Sequence, residues 1–239
     1  MICRLALETA TGHASVAVGR GETVLADVRL DPRTAAAELA PAITACLDRA
    51  GVFLADLEEI VVADGPGSFT GLRTGWATMQ GLARAAGLRV TSIPSLLNAA
   101  SAAAGHAPGS APVVLSCYDA LRGSVYAAVY RCGPGMDVLL EPTLTTIERL
   151  ASSVPARPDL VIGDGALRHA AAVRDAFGCE PRDGPPTAGN LIRLAARPGV
   201  GRTLSDPGTA EPSYGRLAEA QARWERTHGR PLPDPSRTA

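Results

Sequence analysis

The sequence predicts an α/β protein of two duplicated lobes, each a mixed sheet covered by helices. Three observations carry that expectation. The segment LALETATGHASVAVGRGETVLADV, from Leu5, and the segment LSCYDALRGSVYAAVYRCGPGMDVLL, from Leu115, share one plan. In each, an apolar run ends in an acid, Glu8 or Asp119, a glycine follows at Gly12 or Gly123, and a hairpin-like pair of strands comes next. After each copy, helical and strand patterns alternate. The 239 residues, 46% hydrophobic and 20% charged, suffice for a large buried core.

The elements follow in order. Residues 2–7 form a short apolar run and read as a buried strand. Residues 15–19 and 23–30 flank Gly19-Arg20-Gly21 and read as a hairpin. Residues 35–50 carry Leu39, Ile43, Cys46, Leu47 and Ala50 on one helical face, with Pro41 expected to delay the regular helix. Residues 59–63 are a strand, 71–86 a helix and 89–93 a strand. Pro94 opens the next helix, which fades at 105–109.

The series restarts with a strand at 113–117 and a hairpin of 125–131 with 137–140 around Gly133-Pro134-Gly135. A helix is expected at 145–152, a strand at 160–163 and a helix at 166–177. A loop at 180–186 precedes a short helix at 190–196. The plan divides the chain into an N-terminal lobe at 1–109, a C-terminal lobe at 110–230 and a tail at 231–239. That tail, PLPDPSRTA, has three prolines and no apolar period, so disorder is expected.

Composition narrows the chemistry. A formal net charge of -1 gives no basic field for gripping nucleic acid unaided. Every basic side chain is arginine, which removes a Schiff-base lysine, a lysine base and a Walker lysine. The five cysteines form no CxxC pair and fit reduced, buried thiols in cytoplasm. The start MICRLALETATG reads as a strand rather than a leader. No apolar run approaches the roughly 20 residues that span a bilayer.

The stretch DGPGSFTGLRTG, residues 64–75, is the most distinctive. Its glycines and Pro66 end a strand sharply, and Ser68 or Thr70 is placed to cap the next helix. Phe69, Leu72, Trp76, Met79, Leu82 and Ala86 then recur as one apolar stripe. Gly71, Gly75 and Gly81 each cost the helix roughly 1 kcal/mol relative to alanine, which points to close approach by another backbone. A helix N-terminus also suits an anion. Walker spacing is absent, however, and after Gly65 and Gly67 the next glycine comes one residue too late for GxGxxG. Ser68 has Pro66 and Thr70 where a nucleophile elbow needs glycines. The four histidines form no HxxxH or HExxH. Glu8 and Asp119 end corresponding strands, so they could face one cleft and hold magnesium or polarise water. Thr9 and Gly12 belong to the adjoining turn and are nucleotide-contact candidates with them. Each of these also has an ordinary structural reading.

The chain resembles the TsaB (YeaZ) family. The resemblance rests on GPGSFTGLRTG from Gly65, ALETATGHASVAV from Ala6, YDALRGSVYAA from Tyr118 and AEPSYGR from Ala210, in family order. It implies an actin-like (ASKHA) fold of two ribonuclease-H-like lobes, without independent catalytic activity. It further implies a scaffold for a catalytic TsaD-like subunit, working with a TsaE-like ATPase. That complex transfers a threonylcarbamoyl group to N6 of adenosine 37 in tRNAs reading ANN codons. ATP and magnesium belong to the wider complex, tRNA is met mainly through it, and no membrane is involved. The isolated family member is a homodimer, and the N-terminal lobe forms both the homodimer and heterodimer surface. The interface residues expected here are Leu39, Ile43, Gly67, Phe69, Gly71, Leu72, Gly75, Trp76 and Met79, the larger of them divided between core and partner.

Three positions depart from the family pattern. Glu8-Thr9 stands where Asp-Thr is common, Thr34-Ala35-Ala36-Ala37 where a histidine is common, and Ser124 where a glutamate is common. A competing expectation is a nucleotide-dependent phosphotransferase or ATPase of the actin-like superfamily, which needs Glu8 and Asp119 in one cleft. A peptidase reading rests on fold analogy and lacks ligands for a metal.

Overall fold

The computed structural model describes residues 1–105, 111–215 and 227. The expected fade of the third helix at 105–109 falls largely outside them, as does the tail at 231–239. In the first lobe, β1 (Cys3–Glu8), β2 (Ser15–Arg20), β3 (Thr23–Arg29), α1 (Ala35–Ala50), β4 (Glu59–Ala63), α2 (Phe69–Ala86), β5 (Arg89–Ile93) and α3 (Ser95–Ala104) follow one another. In the second, β6 (Val113–Asp119), β7 (Val125–Arg131), β8 (Asp137–Thr145), α4 (Ile147–Ser153), β9 (Leu160–Ile162), α5 (Asp164–Arg168) and α6 (Ala170–Phe177) repeat the plan. Then come α7 (Ala188–Ala195) and β10 (Arg202–Thr203).

One sheet runs β10-β5-β4-β1-β2-β3 and the other β8-β7-β6-β9. In both, the leading strand is antiparallel to the second and parallel to the strand that follows the first helix: β1 with β2 and β4, β6 with β7 and β9. This shared order is the actin-like plan of two related lobes. The duplication read from the residues after Leu5 and Leu115 is therefore a duplication of topology.

The layers explain the burial. Leu5, Leu7, Val16 and Val18 face α1 and α2 on the outer side of the first sheet. Ala6, Ala17 and Val61 face the opposite way, onto a core shared with α3, α7 and the second sheet. The far side of that second sheet packs Leu115, Ala127 and Val129 against α4 and α6. A strand covered on both faces is buried at every position, as β1 is. The edge strand β3 instead alternates between exposed and half-buried.

The structure departs from the sequence expectations in four places. Helix α1 starts at Ala35 rather than near Pro41. Pro41 and Ala37 both lie on the solvent side, so water can satisfy the carbonyl that the proline leaves unbonded. The helix expected at 166–177 breaks at His169. Gly165 packs directly on the Tyr118–Asp119 backbone, and His169, at φ -107° and ψ 32°, leaves helical geometry before α6 buries Val173 and Phe177 in the same core as Ala166. Strand β8 extends through Pro142 to Thr145, on a sheet edge where a missing N–H is tolerated. Finally, β10 pairs with β5, and Leu191, Ile192 and Leu194 of α7 pack on the inner side of the first sheet. Residues 188–203, expected with the C-terminal lobe, thus return to the N-terminal one. β10 is two exposed polar residues, Arg202 and Thr203, so no apolar run marks it in the sequence.

Candidate functional site

The glycine-rich turn answers an internal packing requirement. Gly65 has φ 100°, a left-handed conformation that suits glycine. Ser68 then caps α2, its Oγ accepting from Gly71 N at 3.3 Å. Ser68 N donates to Ala10 O at 2.6 Å, which draws the β1–β2 turn onto the helix start. A side chain at Gly67 would overlap Ala10 O, one at Gly71 would overlap Thr9 O, and one at Gly75 would overlap Thr9 Oγ1. The three glycines, four apart, form a groove that receives Thr9 and Ala10. Of the glycines expected at a partner surface, Gly67 and Gly71 thus admit the chain's own backbone and Gly75 admits the Thr9 side chain.

The apolar stripes are likewise turned inward. Leu39, Ile43, Leu72, Trp76 and Met79 are all buried in the chain's own core. Trp76 Nε1 donates to Ala63 O at 3.0 Å, so the indole is anchored as well as packed. The expected division of large side chains between core and partner therefore falls almost wholly to the core. Phe69 is the exception, 43% exposed at the first turn of α2. A period of 3.6 finds a helix's apolar face but not which neighbour covers it. The outer face is formed by the residues between the stripes: Thr70, Arg73, Ala77 and Arg84 on α2, and Glu38, Thr44 and Asp48 on α1.

Glu8 and Asp119 do not share a cleft. Glu8 is fully buried. Its Oε1 accepts from Ala10 N at 2.9 Å and its Oε2 from Asn98 Nδ2 at 2.7 Å. Asn98 Nδ2 also donates to Thr187 O, and Asn98 Oδ1 accepts from Asn190 Nδ2. This network joins β1 to α3 and α7. Burial pushes the Glu8 carboxyl up to about 7 against the opposing pull of the Ala10 N–H and the Asn98 amide. Thr9 is also buried, and among the described residues its hydroxyl has no hydrogen-bond partner.

Asp119 does reach the interlobe cleft, a hollow of about 310 Å³ lined also by Gly12, Ser68, Phe69, Tyr118 and Asp164. Its carboxylate is already engaged, by Arg168 at 3.1 Å and by Leu121 N at 3.0 Å. Thr9 and Gly12 line a smaller cavity of about 170 Å³ between the starts of α1 and α2, and Gly12 borders both spaces. A magnesium–nucleotide does not fit the expected pair: one carboxyl is sealed and held toward its neutral form, and the other is paired with arginine. Among the described residues no three His, Cys, Asp or Glu side chains converge for a metal. Nor is any helix among them long and apolar enough to cross a membrane.

Residues that sequence reasoning missed complete the picture. Asn98 and Asn190 are far apart in the chain and carry no local motif. Arg73 and Tyr214 meet Phe69 at the helix start: Arg73 Cζ lies 4.2 Å over the Phe69 ring, and the Tyr214 ring centroid is 5.0 Å away. The only signal for Tyr214 was its place in AEPSYGR.

Comparison with known proteins gives these arrangements a context. A family model described as TsaD, tRNA N6-adenosine threonylcarbamoyltransferase, matches residues 31–169. The tRNA threonylcarbamoyladenosine biosynthesis protein TsaB of Bacillus subtilis (strain 168) is 28% identical over 92% of this chain and 96% of its own length. The protein of the same name from Escherichia coli (strain K12) is 37% identical over 53% of this chain and 54% of its own. A crystal structure from Pseudomonas aeruginosa, of an uncharacterized protein with similarity to peptidase YeaZ, superposes with a TM-score of 0.75. It is 30% identical and covers 90% of this chain and 100% of its own.

Proposed function

The chain belongs to the TsaB (YeaZ) family of tRNA threonylcarbamoyladenosine biosynthesis, and from that membership we propose that it is a non-catalytic scaffold subunit. It supports a TsaD-like subunit that transfers threonylcarbamoyl to N6 of adenosine 37, in a cytoplasmic complex with a TsaE-like ATPase. The observation that carries this reading is the sealed state of Glu8, bound to Asn98 and the Ala10 N–H inside the protein. The residue best placed by sequence to serve a catalytic cleft is spent on holding β1 to α3 and α7.

The same reading assigns the partner surface to the outer faces of α1 and α2, where Thr44 and Asp48 of α1 and Thr70, Arg73 and Ala77 of α2 are exposed among the described residues. Helix α2 contains Arg73 and Arg84 and no acid, while the exposed charges of α1 are Glu38, Asp48 and, at its last turn, Arg49. Opposed copies would set α1, with a net excess of one acid, against the purely basic α2 of the other, which supports a homodimer in isolation. With net charge -1, most tRNA affinity comes from the complex. Co-purification of this chain with the TsaD-like subunit of the same organism tests the reading. Stable one-to-one association is expected; two folded proteins that elute separately at micromolar concentration would overturn it.

A further inference from the structure

We propose that the segment from Leu204 to Tyr214 belongs to the partner site, and that Phe69, Arg73 and Tyr214 form one preorganised anchor for a partner that presents a carboxylate beside an apolar side chain. This deepens the scaffold reading and rests on it.

The segment runs as a strap along α2. Leu204 N donates to Val90 O at 2.9 Å, Gln80 Nε2 donates to Ala210 O at 3.0 Å, and Ser213 N donates to Asp64 O at 2.8 Å. Gly65 lacks a Cβ where Ser213 O lies, and Gly215 packs closely on Pro66 and the Tyr126 ring of the second lobe. Tyr214 is thereby fixed from both sides. It meets Phe69 at a tilt of 40°, and Arg73 Nε points to its hydroxyl oxygen at 3.4 Å.

Phe69 is 43% exposed although aromatic, and its ring is held before any partner arrives. Aromatic and arginine side chains dominate binding hot spots, and a side chain already ordered loses less entropy on docking. Arg73 spends the face of its guanidinium on Phe69 and its Nε on Tyr214. Among the described residues no carboxylate pairs with it. Its terminal N–H groups remain as a fork that matches a carboxylate. The absence of any acid from α2 makes the same demand on the partner.

The test measures affinity for the TsaD-like subunit with Phe69→Ala, Arg73→Gln, Tyr214→Ala and Tyr214→Phe, each checked for an unchanged melting temperature. Phe69→Ala is expected to weaken binding about 30-fold or more. Tyr214→Ala is expected to weaken it at least about 5-fold, with most of the loss restored by Tyr214→Phe, which keeps the ring. The Arg73→Gln loss should shrink as salt is raised, because an exposed ion pair is screened. Wild-type binding with unchanged affinity in folded Phe69→Ala and Arg73→Gln variants would overturn the anchor and leave the scaffold reading standing. No binding by the wild-type chain would overturn both.

Discussion

Asn98 Nδ2 donates to Glu8 Oε2 at 2.7 Å, tying the end of the first strand to the helix that lies between the two sheets. The bond lies in a space closed to water, and burial lifts the Glu8 carboxyl from its ordinary value of 4.5 to about 7. A folded-state value above the unfolded one means that the native protein holds the proton more tightly. The associated stability is complete below about pH 4.5 and is lost as pH rises through 7. The span corresponds to about 3 kcal/mol. Urea unfolding at a series of pH values should show this decline in the wild type. Glu8→Gln should flatten it, and an unchanged slope in that variant would assign the effect elsewhere.

The glycines of α2 divide by what surrounds them. Gly71 and Gly75 abut Thr9, whereas Gly81 is exposed, and a side chain added there would meet nothing within 4 Å of its Cβ. Gly71→Ala and Gly75→Ala should destabilise by about 1–3 kcal/mol through forced displacement of the β1–β2 turn. Gly81→Ala should stabilise by up to about 1 kcal/mol. Equal effects at all three sites in denaturant titrations would refute the groove.

Trp76 is a core residue, so changing it disturbs folding before recognition. Trp76→Ala should cost about 3–5 kcal/mol. Ala77→Trp, one position along and on the outer face, should leave stability within about 0.5 kcal/mol while weakening partner binding by steric interference. Thermal melts beside affinity measurements separate the two. A stable Trp76→Ala protein that had lost only its partner would reverse this assignment.

Glu8 and Asp119 do not form a magnesium–nucleotide site, so calorimetric titration with ATP and magnesium should give no saturable heat at millimolar nucleotide. Saturable binding abolished by Asp119→Asn would restore the phosphotransferase alternative.

Much of the architecture is legible in the residues. The acid-then-glycine plan repeated after Leu5 and Leu115 reports the duplicated topology, and the bounds of β4, β5 and β7 follow from apolar runs and turn residues. What escapes is set by distant contacts. The return of residues 188–203 to the first sheet depends on surfaces that exist only once that sheet has formed. The stripe of Leu72, Trp76 and Met79 marks a buried face without saying whether a sheet or a partner buries it. The Glu8–Asn98–Asn190 network joins residues about 90 and 180 positions from the first strand, beyond the reach of any local pattern.

The central claim is that the protein is required for threonylcarbamoylation without performing it. The most direct measurement mixes the TsaD-like subunit, the TsaE-like ATPase, threonylcarbamoyl-adenylate, ATP and unmodified tRNA, with and without this chain, and quantifies modified adenosine. The account predicts strict dependence on the chain, retained in Glu8→Gln and Asp119→Asn proteins that are folded. Full modification without the chain, or its abolition by either carboxylate variant with partner binding intact, would contradict it.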